Sequence, residues 1–100
     1  MSGATLVRIV RLTFNEETIS QFEELYAEHS PAIALRKGCL GVELVTDIRN
    51  PYVRATISRW EDEESLNEYR NSELFGVVWP ATSMLFDARP EVWSYLLPEG

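Results

Sequence analysis

One hundred residues suffice for one domain, spanning 1–100, and a 45% hydrophobic, 25% charged composition excludes a disordered chain. A net charge of -7 and a pI near 4.6, with the nine basic residues scattered along the chain, argue against nucleic acid or an anionic membrane as partner. The single cysteine, Cys39, excludes an internal disulfide and fits a reducing cytoplasm; no apolar run nears the ~20 residues that span a bilayer, and no basic-then-apolar secretion signal opens the chain.

Thr5 to Phe14 alternates and is rich in β-branched residues, which predicts a first strand. Leu6, Val10, Leu12 and Phe14 point one way and Val7 and Ile9 the other, with Arg8 and Arg11 interrupting one face each. Asn15 offers an N-cap and Glu16 and Glu17 suit a first helical turn. Ile19, Phe22, Tyr26, His29 and Ile33 then recur at helical spacing, with Leu25 beside them, as one core-facing stripe. Proline crowds a helix interior and lacks the amide donor, so Ser30-Pro31 predicts a kink or a short second segment that ends before Gly38 at a C′ position.

Cys39 to Ile48 and Tyr52 to Trp60 read as two strands joined at Asn50-Pro51, an antiparallel hairpin. Asp62 can cap a helix through Leu66 and Tyr69. Ser72 can cap or restart one through Phe75 and Trp79, which Pro80 breaks or bends. Pro90 introduces a last strand, Glu91 to Leu97.

The order is βαββαβ, an α+β ferredoxin-like arrangement with a four-stranded antiparallel sheet. Right-handed crossovers put both helical regions on one sheet face. The opposite face still carries apolar side chains that nothing else in the chain can cover. A sheet-to-sheet homodimer is the simple solution.

Gly38-Cys39-Leu40, the strand from Glu43 to Asp47, the Asn50-Pro51 turn, Trp60 before an acidic helix start, and Leu66 to Phe75 together resemble the antibiotic biosynthesis monooxygenase family of the dimeric α+β barrel superfamily. One departure is Lys37, where that family usually has proline. The resemblance implies a homodimer with one pocket per subunit, enclosed between helices and sheet. It also implies oxygenation of a phenolic or quinol-like small molecule by dioxygen, without flavin, metal or other cofactor. No glycine-rich phosphate loop and no Cys/His cluster stands in the sequence. The superfamily's haem-degrading branch uses an asparagine, a tryptophan and a ligating histidine where Val10, Tyr69 and Trp79 stand here. Haem degradation by that route is therefore not expected.

His29, the only histidine, is the candidate base, and Tyr69 and Trp79 are candidate donors to a substrate oxygen. Phe22, Tyr26 and Phe75 are candidate substrate-binding wall. Arg54 is a candidate oxyanion partner, unless it pairs with Glu43 or meets a second subunit. His29, Tyr69 and Trp79 have core packing as their alternative role, His29 at the core or its rim. Trp60, the Glu61–Glu64 cluster and Cys39 read as architecture. A superfamily isomerase, or a non-catalytic ligand-binding dimer, are the competing functions; convergent polar groups in the pocket favour an enzyme, an all-hydrocarbon pocket favours binding.

Overall fold

The computed structural model describes residues 5–98. Its elements are β1 (Leu6–Thr13), α1 (Ile19–Ala34), β2 (Cys39–Thr46), β3 (Val53–Trp60), α2 (Glu63–Arg70), α3 (Glu73–Ser83) and β4 (Glu91–Leu96). The sheet order is β2-β3-β1-β4, every neighbouring pair antiparallel. This is the expected ferredoxin-like topology, with the second helical region divided in two.

The strand alternation sorts side chains onto two faces. In register, Leu6, Arg8, Val10 and Leu12 of β1 lie opposite Trp60, Ser58, Thr56 and Arg54 of β3. This row faces the helices. Leu6, Trp60, Leu66, Tyr69 and Ile33 form one buried cluster, and Val10, Leu12, Phe14 and Phe22 the other. Trp60 is 1% exposed, stacks on Tyr69 at 5.4 Å between centroids, and donates its indole N–H to Ser58 Oγ at 3.0 Å.

Three local expectations are corrected. First, α1 begins at Ile19, not near Glu16: the Asn15 side chain accepts from Glu17 N and Thr18 N at 2.9 and 3.0 Å and caps a turn that precedes the helix. Second, α1 runs unbroken through Pro31. Pro31 lies in the last turn, where its own carbonyl still accepts from Leu35 N, so the missing donor removes one bond near an end that frays in any case. Third, the helix ends with Leu35 as C-cap, so Gly38 is not its C′ residue. Gly38 is needed for another reason: its φ is +82°, and a Cβ there would collide with Ser65 of α2.

Asp62 and Ser72 cap α2 and α3, accepting from Ser65 N at 2.8 Å and Phe75 N at 3.2 Å. Pro80 does not end α3, which continues to Ser83. In the hairpin loop, Asp47 Oδ2 accepts from Arg49 N and Asn50 N, both at 2.9 Å. No described helix is long and apolar enough to cross a membrane.

Candidate functional site: a cavity between sheet and helices

Between α1, α3 and the helix-facing side of the sheet lies a cavity of about 90 Å³, measured as room for the centres of water-sized spheres. A single water needs only ~10–15 Å³ on that measure, so the space is large enough for an organic molecule. The helical repeat explains the lining from α1: Phe22, Tyr26, His29 and Ile33 return to one face every three or four residues. Phe75, Val78, Trp79 and Thr82 do the same from α3, and Leu66 and Tyr69 from α2. The strands supply the floor with Arg8, Val10, Val42, Thr56 and Ser58, among others.

The wall is largely hydrocarbon and aromatic. Tyr69 meets Phe75 edge-on at 5.2 Å, and Phe75 stacks on Trp79 at 5.7 Å with 6° between the ring planes. On the other side Phe22 stacks on Phe14 at 4.4 Å and touches Tyr26 at 6.1 Å. Such contacts hold the rings in fixed orientations.

Burial raises the Tyr69 phenol to about 12, against the opposing pull of Arg8 and Arg36. Tyr26 is also raised, first by burial and then by Glu43. Both phenols therefore stay protonated near neutral pH, with the O–H available to donate to a ligand. No Asp or Glu lines the cavity. That leaves His29 as the only lining residue of a type that exchanges a proton near neutrality. Its side chain is 20% exposed, with Glu28 Oε2 3.9 Å from Nε2. Among the described residues no buried side-chain nitrogen or oxygen lacks a hydrogen-bond partner.

Of the residues singled out from sequence, His29, Tyr69, Trp79, Phe22, Tyr26 and Phe75 line this one cavity. Arg54 does not. It lies on the helix-facing side, 9% exposed, but its guanidinium donates to Glu23 Oε2 at 2.9 Å and to the Pro51 carbonyl at 2.6 Å. Nor does it pair with Glu43, which sits on the opposite sheet face and bonds Arg59 at 3.1 Å. Arg8, Ser58, Thr56 and Thr82 also line the cavity and are not marked as site residues by sequence pattern. For Arg8 the signal was present: it interrupts the apolar face formed by Leu6, Val10 and Leu12, the face that turns toward the cavity. Cys39 is half-buried with its thiol pushed up by burial, which keeps it protonated and unreactive.

The profile of the antibiotic biosynthesis monooxygenase family matches residues 5–78. The chain belongs to that family. No curated protein matches it in sequence. Among solved structures, a conserved protein from Methanosarcina mazei superposes with a TM-score of 0.88 at 21% identity, over 92% of this chain and 91% of that one. A provisionally named antibiotic biosynthesis monooxygenase from Caulobacter crescentus gives 0.89 at 14% identity, over 96% and 92%. Rv0793 from Mycobacterium tuberculosis gives 0.87 at 14%, over 97% and 98%. At these identities the likeness establishes a shared fold; the chemistry must be argued from the cavity.

Proposed function

We propose that this protein is a monooxygenase that needs no cofactor and inserts one atom of dioxygen into a small aromatic or quinol-type substrate held in the cavity. The observation that carries the reading is the composition of the lining: one imidazole and several hydrogen-bond donors set in an otherwise apolar, aromatic wall. Family membership supports it. Convergent polar groups favour catalysis over passive binding.

The chemistry asks little else of the protein. His29 takes a proton from the substrate, and the electron-rich anion passes one electron to dioxygen. The substrate radical and superoxide combine to form a carbon–oxygen bond. The resulting peroxide loses water, so a CH₂ group becomes C=O, with one oxygen atom in the product and one in water. Tyr69 and Trp79 donate to the developing oxyanions, and the aromatic wall confines the radical pair.

The working unit is a homodimer joined through the outer sheet face. There Val7, Ile9, Ile57, Trp93 and Tyr95 lie on the side away from the helices, as the register with β1 requires. Trp93 and Tyr95 are 39% and 55% exposed in the single chain, apolar surface that a second sheet would cover.

The direct test is oxygen uptake with a panel of hydroquinones and anthrone-like phenols, using protein stripped of flavin and metal. Catalysed uptake with one-to-one consumption of substrate and dioxygen is expected. No uptake across the panel would sink the oxygenase reading and leave the isomerase or the binding protein.

A further inference from the structure

Arg8 is the one lining residue of the cavity that carries a permanent charge, and among the described residues nothing neutralises it. The ion pairs of this chain engage Arg11, His29, Arg54 and Arg59. The side-chain hydrogen bonds donated by arginine belong to Arg11, Arg54 and Arg59. Arg8 is only part-exposed, in the middle of β1, with Ser58 directly opposite on β3. A guanidinium drawn partly out of water, its nitrogens still in touch with solvent, bears a cost that a bound anion would offset.

The surroundings add to that cost. Burial and the neighbouring Arg70 both push the Arg8 pKa down, and Arg36 joins Arg8 in acting on the Tyr69 phenol. Arg8 and Arg36 thus both act on Tyr69, and Arg70 on Arg8, in a chain whose net charge is -7; of the three, Arg8 alone lines the cavity. Beside it are hydroxyls free to donate. Ser58 Oγ already accepts from the Trp60 indole, which leaves its own proton available. Tyr69 stays protonated. A planar guanidinium flanked by hydroxyl donors is the arrangement that receives a carboxylate, with its two oxygens on the fork.

We infer that the ligand of this cavity is a small aromatic carboxylate, its acid group held by Arg8 with Tyr69 and Ser58 and its ring lying between Val10, Phe75 and Trp79. This deepens the reading of the cavity as the substrate site and rests on it. His29 lines the same cavity.

Isothermal titration with 2-naphthoate and with 2-naphthamide tests the inference without any turnover. The wild type is expected to bind the acid about tenfold tighter than the amide, equivalent to about 1.4 kcal/mol for a charge-assisted bond in part-solvated surroundings. Arg8→Gln is expected to remove that preference by weakening the acid far more than the amide, and residual amide binding reports that the cavity is intact. The wild-type comparison decides the matter even if the variant does not fold. Equal binding of acid and amide by the wild type overturns the inference while the cavity remains a ligand site. Binding of neither overturns both.

Discussion

The Arg54 guanidinium donates to the Glu23 carboxylate at 2.9 Å, tying β3 to α1 just beyond the end of the cavity. Arg54 is nearly buried, whereas half of the Glu23 side chain meets solvent. Glu23→Ala strips the buried guanidinium of its counter-charge and leaves only carbonyl acceptors. We expect a loss of about 1–2 kcal/mol in urea unfolding at neutral pH. A loss within a few tenths would rank the pair with screened surface bridges.

Stability at alkaline pH should carry the signature of Tyr69. Its folded pKa, about 12, lies above the ordinary 10.0, so the unfolded chain ionises first. The contribution is complete below pH 10 and is lost as pH rises through about 12. It amounts to at most about 3 kcal/mol. Urea unfolding at pH 9 and pH 11.5 should show a steeper decline for wild type than for Tyr69→Phe. Parallel declines would mean that the phenol ionises freely in the folded state.

Two substitutions separate base from wall in the proposed reaction. His29→Ala should reduce the rate of oxygen uptake by ~10²-fold or more, with partial rescue by added imidazole. Trp79→Phe keeps the stack on Phe75 but removes the indole N–H, and about a tenfold loss is expected, the worth of one hydrogen bond. An undiminished rate in His29→Ala would take the base role away from this residue.

The outer sheet face gives a prediction about assembly. Ile9 lies between Ile57 and Trp93 in the register, at the centre of that face. A carboxylate there would be desolvated by a facing sheet, so Ile9→Glu should turn a sedimenting dimer into a folded monomer. A wild type that sediments as a monomer at micromolar concentration would remove the sheet-to-sheet dimer altogether.

The elements were legible because their signals are local. Alternation marks β1, three-and-four spacing marks α1, and Asp62 and Ser72 announce the starts of α2 and α3. Their order then limits the topology. Two features are not legible locally. Residue type does not reveal that Pro31 falls in the last turn, where one lost bond costs little. Nor does the chain around Gly38 reveal its clash partner, Ser65, twenty-seven positions away.

Local periodicity suffices for the fold, the face of each strand that turns inward, and most of the cavity wall, since His29, Tyr69 and Trp79 lie on stripes set by helical spacing. The roles of the arginines come from packing. Along the chain Arg8, Arg36, Arg54 and Arg70 look equally scattered. Packing α1 on the sheet gives Arg54 a carboxylate from Glu23, whereas Arg8, which shares the cavity lining with Tyr69, receives none among the described residues. Pairing of charges depends on distances between residues far apart in the chain, and strand or helix periodicity carries no information about those.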